Sequence, residues 1–91
     1  MNGFKIFETR QFSEDLKNLF AHSEKIKIKL HAFVYPPLRQ NPYFGKNIKK
    51  LRGYRPDTWR YRVGDFRFFY EIEDGKKVVY LIAADNRKDA Y

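Results

Sequence analysis

With 91 residues, 43% of them hydrophobic, and no Cys, residues 1–91 make one small globular domain without disulfides, thiolate chemistry or a Cys-type zinc site. No apolar run approaches the ~20 residues of a membrane span, and Met1 to Arg10 lacks the basic-then-apolar layout of a secretory signal, so a cytoplasmic protein away from the membrane is expected. Lys and Arg number 19 against 11 Asp and Glu, a net +8, and aromatics reach 19%; that mixture suits a polyanion whose bases can stack, meaning RNA or single strands.

In chain order, Phe4 to Thr9 reads as a short first strand with Phe4 and Ile6 on one face. Phe12, Leu16, Leu19 and Phe20 then follow i, i+4, i+7, i+8, a helical stripe. Ser13 is the expected N-cap, with Glu14 and Asp15 in the dipole-favoured first turn. The same spacing returns in Ile26, Leu30, Phe33 and Val34 after a break at 21–23, so a helical hairpin is expected. Lys25, Lys27 and Lys29 fall on its outer face. Pro36-Pro37 is read as the end of the second helix. All four prolines lie within Pro36–Pro56, in a long basic connection with a little structure at Lys46 to Leu51; connections of this length are usually functional.

The last third reads as β. Trp59–Val63 and Phe66–Ile72 alternate, and Lys77–Ala83 is rich in β-formers. Gly64-Asp65 is a two-residue hairpin loop with Gly first, as a type II′ turn wants, and Asp74-Gly75 is a type I′ signal. The fold class is therefore α+β in the order β-α-α-β-β-β, with the helical hairpin packed on one face of a mainly antiparallel twisted sheet.

A two-residue loop at Gly64-Asp65 sets Arg62 opposite Arg67, Tyr61 opposite Phe68 and Arg60 opposite Phe69. Paired residues share a face. One face reads Trp59, Tyr61, Val63, Phe66, Phe68, Tyr70, Ile72 and is the core. The other reads Arg60, Arg62, Arg67, Phe69, Glu71. Like charges directly opposite destabilise a sheet by roughly a few tenths of a kcal/mol or more, so this face calls for an anion, with Glu71 as the internal alternative. Lys46 to Arg67 carries eight bases and two acids, three-quarters of the net charge. The chain ends in Arg87-Lys88-Asp89-Ala90-Tyr91, an aromatic and an Arg suited to docking beside the arginine face.

Lys50-Leu51-Arg52-Gly53, then Trp59-Arg60-Tyr61-Arg62-Val63-Gly64-Asp65-Phe66-Arg67, Tyr70, and the tail Arg87 to Tyr91 together resemble the RelE/ParE superfamily of toxins from type II toxin–antitoxin pairs. The resemblance, to the RelE-like mRNA interferase branch, implies a RelE-like, microbial-ribonuclease-type fold. It also implies a ribosome-dependent endonuclease that cuts mRNA in the ribosomal A site, by attack of a ribose 2′-OH on the adjacent phosphate, without a metal or other cofactor. It places the catalytic role on Arg60, Arg62, Arg67, Arg87 and Tyr91. Developing charge on the phosphate would be met by arginine forks, and Tyr91 would stack on a base.

The chain departs from relatives in two ways. Some have Lys where Arg60 and Arg62 stand; Arg does not lose its proton in practice, so these two are clamps rather than bases. Others have a His just before the tail Arg, where this chain has Asn86, which cannot exchange a proton. Asp85, Asp89, Glu71, the Tyr91 phenol or carboxylate, and the ribosome itself all stay open as proton acceptors. His22 and His31 are read as structural.

Ribosomal RNA contacts are expected from Lys25, Lys27, Lys29, Lys46, Lys49, Lys50, Arg52 and Arg55. The partners implied are the ribosome, mRNA and a cognate acidic antitoxin that folds onto a toxin otherwise monomeric. A ParE-type inhibitor of DNA gyrase, and a non-catalytic RNA-binding module, are the alternatives.

Overall fold

The computed structural model describes residues 3–20 and 23–86. Their order is β1 (Lys5–Glu8), α1 (Arg10–Leu19), α2 (Ser23–Lys29), a π-helical turn (Leu30–Val34), α3 (Tyr35–Gln40), β2 (Ile48–Lys50), β3 (Trp59–Val63), β4 (Phe66–Glu73) and β5 (Val78–Asn86). The strands form one sheet, β1-β5-β4-β3-β2. Only the β1–β5 pair is parallel. The α+β class and the mainly antiparallel sheet with helices on one face agree with the sequence. The sheet has one strand more than the β-α-α-β-β-β order allows, because Ile48–Lys50 pairs with β3.

Helix α1 begins at Arg10, not after Ser13. Thr9 is its N-cap: the Thr9 hydroxyl accepts from the Phe12 amide (3.3 Å) and donates to the Leu81 carbonyl (2.7 Å). One side chain thus closes the helix end and ties it to the sheet. The Ser13 amide already donates to the Thr9 carbonyl, so Ser13 lies inside the helix and Glu14 and Asp15 lie beyond the first turn. Asp15 instead accepts from the Ala84 amide at 2.9 Å, fixing α1 against β5.

The second helical stripe is out of phase with its simple spacing. The Tyr35 amide donates to the Leu30 carbonyl, five residues back, and this wider turn admits one extra residue. Leu30, Val34, Tyr35 and Leu38 become buried, and Phe33 swings out to 71% exposure. Pro36-Pro37 does not end the helix. Both prolines sit in the first turn of α3, where amides need no intrahelical acceptor, and the helical path runs on to Gln40.

The core is Phe12, Leu16 and Leu38 from the helices against Phe68, Tyr70, Val79 and Leu81 from the sheet, all at 1% exposure or less. The two deepest tyrosines are satisfied. The Tyr70 hydroxyl donates to the Pro42 carbonyl at 2.7 Å, and that of Tyr35 to Glu8 at 2.6 Å. Burial raises both hydroxyls above the ordinary tyrosine range. Val63, assigned to the core by alternation, is 43% exposed: at the tip of its hairpin it borders an open groove beside α2 rather than the packed interior.

Candidate nucleic-acid interface

The face of the sheet turned away from the helices is built on the β3–β4 hairpin. Its register pairs Arg62 with Arg67, Arg60 with Phe69 and Val63 with Phe66, as a two-residue loop requires. Gly64 has φ +58°, the left-handed value that a type II′ turn needs at its first position. Alternation then sends Arg60, Arg62, Arg67 and Phe69 outward together.

The neighbouring strands add two more groups. Lys49 pairs with Arg60 across β2. Asp85 pairs with Arg67 across β5. The register of β4 against β5 shifts between Phe69 and Tyr70: Phe69 faces Ala83, while Tyr70 faces Leu81. Ile82 is the extra residue, a β-bulge. Without it Asp85 would face Phe66, on the helix side of the sheet; with it, Asp85 lies beside Arg67. The second loop is not the two-residue type I′ turn read from Asp74-Gly75. It spans four residues between Glu73 and Val78, closed by Lys77 N–H to the Asp74 carbonyl (3.2 Å), and the left-handed residue is Lys77.

Each arginine is held differently. Arg67 donates through Nε and Nη2 to the two oxygens of Asp85, both at 2.7 Å, and lies 5.7 Å from the Phe69 ring centroid. A two-point carboxylate fork of this kind fixes the plane of the guanidinium. Arg62 is exposed, and its Nε donates to the Gly64 carbonyl at 3.0 Å. Arg60 is half-buried, and its Nε is buried without a hydrogen-bond partner. Its pKa is lowered, first by burial and then by the positive charges of Arg62 and Arg67. A buried donor left unmet costs about 1–3 kcal/mol. Among the described residues four cations thus share this surface with two carboxylates, Asp85, which already serves Arg67, and Glu71. Glu71, the internal partner expected from sequence, makes no ion pair among the described residues.

The other predicted contacts are dispersed. Lys50 points to the helix side of its strand, pairs with Asp57 (3.3 Å) and lies over the Trp59 ring. Arg52 and Arg55 are exposed in the loop between β2 and β3, and Lys46 in the loop before β2. Lys25 and Lys29 border a groove beside the hairpin tip, whereas Lys27 turns the other way, toward Glu8 at 4.0 Å. The three lysines therefore do not form one surface. His31 stacks edge-on against Tyr35 and lines a separate cavity with Glu8 and Arg39. Arg87, Asp89, Tyr91 and His22 lie outside the described residues. Asp85, weighed from sequence only as a base, emerges as the partner of Arg67; the bulge that brings it there leaves no local signal.

The family model described as ParE toxin of type II toxin-antitoxin system, parDE, matches residues 6–91. No curated protein matches the chain. Among solved structures, the toxin–antitoxin complex RelBE2 from Mycobacterium tuberculosis is similar, with 24% identity, a TM-score of 0.72, and 93% of this chain and 99% of that chain covered. The RelB–RelE antitoxin–toxin complex from Methanococcus jannaschii gives 27% identity and a TM-score of 0.62, covering 93% and 94%. A mutant of the E. coli toxin RelE in the free state gives 22% identity and a TM-score of 0.65, covering 97% and 87%.

Proposed function

Since the chain belongs to the ParE toxin family of type II toxin–antitoxin systems, and so to the RelE/ParE superfamily of toxins, we propose that it acts as an endoribonuclease on mRNA in the ribosomal A site. The observation that carries this reading is the outward arginine cluster, with Arg67 locked by Asp85 and the Arg60 Nε unmet. A surface that holds guanidinium groups in fixed planes, with more positive charge than it can neutralise, is suited to a phosphate.

In the proposed reaction the 2′-oxygen forms a bond to phosphorus as the bond to the 5′-oxygen breaks. The 2′-hydroxyl gives up its proton, and the leaving 5′-oxygen gains one. The products are a 2′,3′-cyclic phosphate and a 5′-hydroxyl. Negative charge grows on the non-bridging oxygens, and donors already oriented toward them act without reorganising. Arg67, preoriented by Asp85, and Arg62, braced on the Gly64 carbonyl, supply those donors; Arg60 adds charge beneath them. The three act by electrostatics, because a guanidinium does not exchange its proton in this pH range.

A cognate antitoxin belongs to the same proposal. The RelB complexes of similar toxins support it, and the +8 charge favours an acidic partner. The groove of about 470 Å³ beside α2, lined by Ile26, Phe33 and Val63 and edged by Lys29 and Arg62, fits the apolar face of an acidic amphipathic helix.

The family's own name favours a second reading, a gyrase-directed toxin that acts by binding a protein. Induction of the chain in cells separates the two. Transcript ends within translated codons, without an SOS response, are expected. SOS induction with intact mRNA would replace the nuclease by the gyrase inhibitor.

A further inference from the structure

The loop between β2 and β3 carries an aromatic side chain that neither the core nor the arginine face uses. Its base is tied shut. The Leu51 amide donates to the Thr58 carbonyl (2.9 Å), Lys50 pairs with Asp57 (3.3 Å), and the Thr58 hydroxyl donates to the Pro56 carbonyl (3.1 Å). Gly53, at φ +80°, makes the bend. Above this base Arg52, Tyr54 and Arg55 are exposed around a concavity of about 960 Å³ that residues 50–57 line by themselves. Tyr54 is 54% exposed. Among the described residues its hydroxyl has no hydrogen-bond partner and its ring no aromatic or cationic neighbour. Lys50 occupies the loop's one carboxylate, Asp57, and among the described residues Arg52 and Arg55, which line the same concavity, have no acidic partner.

We propose that Tyr54 is a stacking platform for one unpaired nucleotide, with Arg52 and Arg55 on its phosphates. The inference rests on the RNA reading above and adds a second contact point to it. A ring on a closed loop is already oriented and loses little entropy on stacking, and every base has a π-face to offer. A paired base has both faces covered by its neighbours, so the site takes single strands or splayed bases and not duplex. The loop lies at the start of β3, on the order of 13 Å along the strand from Arg62 at ~3.3 Å per residue. Lys49 and Arg60 fall between the two, so a single strand leaving the arginine cluster follows a basic track to Tyr54.

The test is equilibrium binding of the full chain to a 12-nucleotide single-stranded RNA and to a 12-base-pair RNA duplex, across a salt series. Tyr54→Ala should weaken single-strand binding by roughly 5- to 100-fold and leave the salt slope and duplex binding unchanged. Tyr54→Phe should bind as the parent does, since the ring and not the hydroxyl is used. Arg52→Ala with Arg55→Ala should reduce the salt slope by roughly one to two. Equal single-strand affinity for Tyr54→Ala and parent overturns the proposal, as does an equal loss on duplex, or no single-strand binding by the parent. Retained RNA binding with lost affinity for an acidic partner protein would make the loop a protein contact and also overturn it. Crosslinking of Tyr54→Trp to mRNA-programmed ribosomes would tell whether the base comes from mRNA or ribosomal RNA, and either source supports the site. Because these readouts are binding and not cleavage, failure here leaves the nuclease reading standing, and a failed cleavage assay leaves this test intact.

Discussion

At one end of the outward sheet face the polar groups close on one another. Tyr80 donates to Glu73 (3.1 Å), Lys76 lies 3.8 Å from the same carboxylate, and the Phe7 ring meets Tyr80 edge-on at 5.7 Å. At the other end, among the described residues, Lys49, Arg60, Arg62 and Arg67 have one paired carboxylate, Asp85, and the Arg60 Nε has no partner. The two ends share strands, solvent and pleat. They differ in whether the chain supplies the counter-charge. A sheet face can be stable with self-contained pairs, so the surplus positive charge at this end is what the proposed phosphate contact rests on. The cost of that surplus is held down by Asp85, which neutralises the arginine directly opposite Arg62.

Substitutions at the two ends should therefore behave in opposite ways. Arg67→Ala and Arg62→Ala should each lower cleavage at least about 100-fold, the scale of a lost oriented donor to a developing oxyanion. Urea unfolding midpoints should shift little, because like-charge repulsion is relieved. A variant that is both less stable and still toxic would make these arginines structural. Asp85→Asn should be milder, roughly 10-fold in cleavage, since Arg67 keeps its charge and loses its fork. Its signature is a fall in kcat that Asp85→Glu, which keeps the charge but moves the carboxylate, restores only in part. Neutralising Lys49, Arg52 and Arg55 together should weaken ribosome co-sedimentation several-fold and flatten its salt dependence. At the closed end Tyr80→Phe should cost about 0.5–1.5 kcal/mol of stability, read by urea denaturation, and leave cleavage unchanged.

The same contrast separates what the amino-acid sequence makes legible from what it does not. The β3–β4 register follows from two residues, Gly64 and Asp65, because a two-residue loop fixes every pair beyond it. Arg62 opposite Arg67 is readable for that reason. The β4–β5 register is not. Its turn has four residues, with Lys77 rather than Gly75 in the left-handed conformation, and Ile82 adds a bulge partway along. Each changes parity or offset without an obvious residue signature, so Asp85 could be placed near the site but not against Arg67. The helices show a related effect. The stripe of α1 is regular and reads correctly at Phe12 and Leu16, while the π turn before Pro36-Pro37 rephases the second stripe and exposes Phe33. Local periodicity carries information only until an inserted residue resets it. Overall class and the arginine face survive because they depend on short, regular stretches.

In the proposed function, the open end of this face breaks RNA at a phosphate within the ribosome. Purified protein added to ribosomes carrying an mRNA with one defined A-site codon tests it most directly, with the ends of the products sequenced and their chemistry determined. Cuts inside that codon are expected, leaving a 2′,3′-cyclic phosphate and a 5′-hydroxyl, with none when Arg62 and Arg67 are both alanine. Intact mRNA with the parent protein bound to the ribosome, or cleavage unchanged in the double variant, would contradict it.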